Sequence, residues 1–234
     1  IDLQAAKEHG VFVTNTPDIL TADTADTAVA LLMCVSRRIC EADMYVRFGK
    51  WESAHFGLGT SLAGKKAGII GLGRIGAAIA VRLKAFDMDV AYYGRREKEA
   101  APYAYFSDLE AMAEHVDYLV VSCPGGDETK GLVNLRVLEA LGPKGYLVNI
   151  ARGSVVNEDD LLVALSNKTI AGAGLDVYRN EPHVPEAMFK MDNVVLLPHI
   201  GSATHETRKR MGQLVLENLH AHFGGLPLKT PVAA

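Results

Sequence analysis

The sequence predicts an α/β protein built on a parallel sheet, and three observations lead there. From about residue 66 to residue 197, short apolar runs alternate with segments of helical period, the pattern of repeated strand-helix-strand units. The runs are apolar throughout rather than at every second residue, as strands buried on both faces require. A Gly-x-Gly-x-x-Gly turn, Gly71-Leu72-Gly73-Arg74-Ile75-Gly76, joins the first such run to the first such helix. Together they indicate a doubly wound parallel sheet of Rossmann type.

The elements follow in chain order. Residues 1–9 are an amphipathic helix, and residues 21–45 form one long helix rich in Ala, Leu, Val and Met. Its apolar surface exceeds what one domain edge needs, so it should pack between domains or subunits, and a homodimer is expected. Residues 49–64, mixed in polarity and rich in glycine, lead as a loop into the first strand. Strands are predicted at 67–70, 88–93, 118–121, 146–150, 174–177 and 194–197, with helices at 74–86, 107–115, 135–141 and 158–165. Ser107 and Glu110 have capping-box spacing, and Asn157 is placed as an N-cap. Met211, Leu214, Val215 and Leu219 stripe a final helix over 204–223.

Composition narrows the function. Hydrophobic residues make up 49% and charged residues 22%, with a net charge of -4, which disfavours nucleic acid and anionic membranes as partners. No run approaches the ~20 apolar residues of a membrane span. Cys34, Cys40 and Cys123 have no metal or disulfide spacing, and the cytoplasm is the expected compartment. His220 and His222 have no acidic or cysteine cluster beside them, so no metal site is expected. The chain opens in a helical pattern without an initiator Met and is expected to be part of a longer protein.

The glycine turn is the expected cofactor site. Gly71 permits the tight turn, Gly73 lets backbone approach a pyrophosphate, Gly76 allows close packing, and the helix opening at Arg74 and Ile75 offers unpaired N–H groups to the anion. At the end of the second strand, where an NAD site places an acidic residue against the ribose, stand Gly94, Arg95 and Arg96. Absence of the carboxylate and presence of two guanidiniums point to NADP(H), whose 2′-phosphate arginine can bind bidentately.

Three further polar residues follow strand ends on the side where parallel sheets bind ligands: Arg152, Glu181 and His199. Near a nicotinamide, a histidine suits protonation of a carbonyl oxygen while hydride reaches the carbon, a carboxylate orients the imidazole, and an arginine binds a substrate carboxylate or polarises its carbonyl. From position alone each could equally be structural.

The glycine turn, Asn149-Ile150-Ala151-Arg152-Gly153, Gly174-Leu175-Asp176-Val177-Tyr178 through Glu181-Pro182, and Leu197-Pro198-His199-Ile200-Gly201 resemble, in order and spacing, the D-isomer-specific 2-hydroxyacid dehydrogenase family. Within it the chain is most similar to NADPH-dependent glyoxylate, hydroxypyruvate and hydroxyphenylpyruvate reductases, through residues 92–96, 140–145 and 227–232. The resemblance implies reduction of a small 2-oxo acid to the D-2-hydroxy acid, with Arg152 on the substrate, His199 as acid/base and Glu181 paired to it. It also implies that Asp176 holds the nicotinamide carboxamide and that Cys123, Pro124 and Thr129 line the adenosine side, with Ile150, Ala151 and Gly201 among the cofactor contacts. Formate dehydrogenases of this fold carry Gln where Glu181 stands, so the Glu favours oxo-acid reduction. The dinucleotide-binding domain is then 21–201, while 1–20 and 202–234 are remnants of a flavodoxin-like substrate domain truncated at its N-terminus. A dinucleotide-sensing corepressor and an NAD-dependent phosphoglycerate dehydrogenase are the alternatives.

Overall fold

Seven strands, all parallel, form one sheet in the computed structural model, which describes residues 1–232. They are β1 (Lys66–Ile70), β2 (Asp89–Tyr93), β3 (Ala104–Phe106), β4 (Tyr118–Val121), β5 (Tyr146–Asn149), β6 (Gly172–Leu175) and β7 (Val194–Leu196), ordered β3-β2-β1-β4-β5-β6-β7. From β1 the chain runs outward to β2 and β3, then returns to start β4 on the other side of β1. The order therefore reverses between β1 and β4, and the crevice beyond their carboxyl ends is where such a sheet accepts a ligand.

Helices cover both faces. The helix α1 is Leu3–Glu8; α2 (Thr21–Arg37) and α4 (Arg74–Ala85) supply one core layer, with Leu31, Leu32, Ile79 and Leu83 inaccessible or nearly so. On the other face α5 (Leu109–His115), α6 (Leu135–Leu141) and α7 (Glu158–Ser166) supply Met112, Leu138 and Leu161. Each such aliphatic side chain, fully buried, contributes about 1.5–3 kcal/mol.

The chain groups into two compact units, Thr24–Gly201 and a smaller one formed by residues 1–23 and the chain from Ser202 onward. In the smaller unit α8 (His205–Phe223) is capped by Thr204, and Thr14 bridges Pro231 antiparallel. Asn218 in α8 is buried and accepts from the Lys229 and Thr230 amides, which fixes the last segment along the helix.

Four expectations need correction. The long helix breaks at Arg38, which adopts a left-handed conformation (φ 56°, ψ 38°), and a separate α3 (Ile39–Arg47) follows. At the break the Arg38 guanidinium forks onto Glu41 at 2.8 and 2.6 Å and lies 4.6 Å from the centre of the Phe56 ring. Within its own unit α2 places Leu31 against Gly174 and Val35 against Gly172. Next, α5 is capped by Asp108, which accepts from the Ala111 amide at 2.8 Å, not by a Ser107/Glu110 box. The edge strand β3 went unpredicted, being only three residues long. Last, β6 begins and ends two residues earlier than expected, because its Gly-Ala-Gly-Leu sequence has little apolar signal. Its glycines make room for neighbours: a Cβ at Gly172 would lie 2.5 Å from the Asn193 carbonyl oxygen and 2.9 Å from Val35 Cγ2 of α2, and one at Gly174 would lie 3.0 Å from Leu31 Cβ.

Candidate active site

The crevice is built first by the turn after β1. Gly71 has φ +92°, and a Cβ there would lie 2.7 Å from Cys123 Cα in the segment after β4. At Gly76 a Cβ would lie 2.2 Å from the Gly71 carbonyl oxygen, so helix α4 could not start this close to the turn with any side chain at that position. Ser122 locks the arrangement by donating to the Gly71 carbonyl at 2.8 Å. Gly73 differs from both: nothing lies within 4 Å of where its Cβ would be, so the backbone faces open space.

The N-terminus of α4 is also open in a chemical sense. Whereas α5, α6 and α7 are capped by the side chains of Asp108, Asn134 and Asn157, α4 starts at Gly73 with no side-chain cap. Its first amides lie beside the open space at Gly73, which fits the pyrophosphate of a dinucleotide. Gly94 follows β2, and a Cβ there would meet only the Arg96 carbonyl oxygen, at 3.7 Å. Backbone geometry therefore does not require glycine at 94. Arg95 and Arg96 are exposed beside it.

The other expected cofactor residues line the same ends. Cys123 is buried against Gly71, and burial pushes its thiol up, which disfavours a reactive thiolate. Thr129 donates to the carbonyls of Pro124 at 2.8 Å and Gly126 at 3.3 Å, bracing its own loop. Ile150 and Ala151 are buried at the end of β5.

Arg152, Glu181 and His199 follow β5, β6 and β7 in turn, and the sheet brings their ends together. His199 Nδ1 and Glu181 Oε2 are 2.7 Å apart, leaving the other ring nitrogen clear of the carboxylate. Glu181 Oε1 accepts from the Tyr178 amide at 3.0 Å, which fixes the carboxylate's direction. Burial pushes the Glu181 carboxyl up, but the His199 contact, the Tyr178 amide and the nearby Arg152 charge together hold it below its ordinary value.

His199 has a left-handed backbone (φ 55°), unusual for a residue with a Cβ. Asp176 holds it there: its two oxygens accept from the Ile200 amide at 2.7 Å and the Gly201 amide at 2.8 Å, with only 1% of the residue exposed. Tyr178 adds a second tie, donating to the Leu197 carbonyl at 2.9 Å; burial pushes its phenol up to about 12, which keeps it a donor.

Sequence reasoning missed several of these supports. Asn149, 1% exposed, accepts from the Ala151 amide at 3.0 Å and donates to the Arg152 carbonyl at 3.1 Å, shaping the turn that presents Arg152. A lone Asn at the end of an apolar strand was the available signal. Gly153 lets this turn touch its neighbour, since a Cβ there would fall 1.9 Å from the Tyr178 carbonyl carbon. Gly125 leaves room for the Arg152 side chain, whose Cγ would lie 2.8 Å from a Cβ at that position.

Comparisons with known proteins identify the family. Residues 29–201 match the family model for the D-isomer specific 2-hydroxyacid dehydrogenase NAD binding domain. The chain is 53% identical over 232 residues to hydroxyphenylpyruvate reductase of Plectranthus scutellarioides, covering 99% of this chain and 74% of the relative. It is 51% identical, with the same coverage, to a glyoxylate/hydroxypyruvate reductase of Arabidopsis thaliana. Among solved structures, an NADPH-dependent glyoxylate/hydroxypyruvate reductase from Sinorhizobium meliloti, in complex with NADP and malonate, superposes with a TM-score of 0.96 at 49% identity, covering 100% of this chain and 74% of that one. The chain belongs to the D-isomer specific 2-hydroxyacid dehydrogenase family.

Proposed function

We propose that the protein reduces a small 2-oxo acid, of the glyoxylate or hydroxypyruvate type, to the D-2-hydroxy acid at the expense of NADPH. The observation that carries this reading is the His199–Glu181 pair at 2.7 Å, set at the strand ends beside Arg152. When bound there, NADPH would supply the hydride that the substrate carbonyl takes up at carbon. His199 delivers the proton that the carbonyl oxygen then requires, from the ring nitrogen not engaged by Glu181. Glu181 keeps that imidazole oriented through the 2.7 Å contact at Nδ1. Arg152 binds the substrate carboxylate and draws charge toward the carbonyl oxygen.

The open cradle at Gly73 and the uncapped start of α4 support a dinucleotide, and Gly94, Arg95 and Arg96 support the 2′-phosphate. Arg74, Ile75, Cys123, Pro124, Thr129, Ile150, Ala151, Asp176 and Gly201 complete the proposed cofactor site. Residues 21–201 are read as the dinucleotide-binding domain and 1–20 with 202–234 as parts of a substrate domain. No helix among the described residues is long and apolar enough to cross a membrane. A homodimer in the cytoplasm, with no nucleic-acid partner, is the assembly we assign.

The test is His199→Gln, assayed with glyoxylate and hydroxypyruvate. Turnover should fall by roughly 10²- to 10⁴-fold while NADPH affinity stays within about twofold, as loss of a general acid predicts. Unchanged turnover would remove His199 from the reaction.

A further inference from the structure

Two opposite charges meet across the adenosine end of the crevice. Arg95 stands just past the end of β2, and Glu128 lies in the short turn Asp127–Thr129 after β4. Arg95 Nη1 donates to Glu128 Oε2 at 2.7 Å. Because β1 lies between β2 and β4 in the sheet, this ion pair spans the end of β1, where the glycine turn begins. The pair is open to water, with the Arg95 side chain 86% and the Glu128 side chain 75% exposed.

The backbone that carries Arg95 is held on both sides. The Gly94 carbonyl accepts from Tyr105 Oη at 3.1 Å, and the Lys98 amide donates to Tyr92 Oη at 2.8 Å. Lys98 Nζ also donates to the Leu72 carbonyl inside the glycine turn. The loop 94–98 is thereby stapled to the turn, and the freedom left at Arg95 lies chiefly in its long side chain. That side chain faces a choice between Glu128 and any anion arriving at the ribose 2′ position.

We infer that Glu128 is a cofactor-selectivity residue, a counter-charge that holds Arg95 across the adenosine end and restrains the advantage of a 2′-phosphate over a 2′-hydroxyl. This rests on the NADPH reading given above. The phosphate must take the guanidinium from the Glu128 carboxylate, which then remains nearby as a like charge. A 2′-hydroxyl has no such charge to repel and gains much less from Arg95. Glu128 therefore acts against NADPH more than against NADH, and the preference measured in the native protein is smaller than the arginines alone would give.

The experiment is titration of NADPH and NADH, without substrate, into wild type, Glu128→Gln, Arg95→Ala and the double variant, by calorimetry at low and high salt. Glu128→Gln should tighten NADPH by about 3- to 10-fold, as expected for a single solvent-screened charge, and change NADH by less than about twofold. The gain should shrink at high salt and be smaller in the Arg95→Ala background, since part of it is release of Arg95. NADH affinity also serves as the folding control. If wild type prefers NADPH but Glu128→Gln leaves the ratio of the two affinities unchanged, or shifts both equally, the role of Glu128 is overturned and the cofactor reading stands. If wild type shows no preference, the cofactor reading fails and this inference fails with it.

Discussion

At the residue scale the proposed acid depends on a carboxylate that need not touch substrate. Asp176 accepts two consecutive amides, those of Ile200 and Gly201, and so maintains the left-handed backbone at His199. Asp176→Asn replaces one acceptor with a donor aimed at an N–H group, and the unsatisfied buried amide should cost about 1–3 kcal/mol. Urea denaturation will measure that loss, and an unchanged midpoint would show that the two bonds contribute nothing net. Glu181 gives a pH prediction. Its carboxyl is held below the ordinary value of about 4.5, so the stabilisation linked to it is present above that pH and is lost as pH falls through the lowered value. With the Glu181 side chain 34% exposed and His199 47% exposed, solvent limits the effect to about 1 kcal/mol or less. The difference in melting temperature between wild type and Glu181→Gln should therefore shrink as pH is lowered below the ordinary value of about 4.5. A difference that is constant or grows in that window contradicts the linkage.

At the scale of elements, strand ends are joined by glycines whose places are set by neighbours remote in sequence. The turn after β5 presents Arg152 only because Gly153 lets it rest on the backbone of Tyr178 and Arg179. Gly153→Ala should force the two turns apart, cost about 1–3 kcal/mol or more, and displace Arg152 from Glu181 and His199. The KM for oxo acid should rise several-fold while NADPH binding, which depends on the turn after β1, changes little. Equal loss of both would show that the turns act as one unit. The same reasoning explains where sequence patterns misled. Asn157 and the helix at Leu135–Leu141 were legible because capping and helical period are local. By contrast, β6 was displaced because its glycines answer to Asn193 and α2 rather than to hydrophobic alternation, and the break at Arg38 has no local signal.

For the whole molecule, the excursion that follows the Arg38 break projects exposed apolar side chains. Helix α3 buries none of its residues, and Phe48 and Trp51 beyond it are 67% and 66% exposed. The chain returns to α2 through Thr60, whose amide donates to the Ser36 carbonyl at 2.7 Å, so the excursion is closed at its neck. Such an apolar projection suits burial against a second copy. Light scattering at micromolar concentration should give the mass of a dimer, and Phe48→Asp with Trp51→Ala should lower it toward the monomer; a monomeric wild type would defeat the assignment. The sequence by itself determined the alternating α/β order, the glycine turn and the family motifs around Arg152, Glu181 and His199, because each depends on neighbours a few residues away. Only the tertiary structure decided that Asp176 holds the His199 backbone, that Gly153 and Gly174 are spaces for other segments, and that Arg95 meets Glu128 across the end of β1. Those facts depend on chain segments that become neighbours only when the parallel sheet aligns its strand ends.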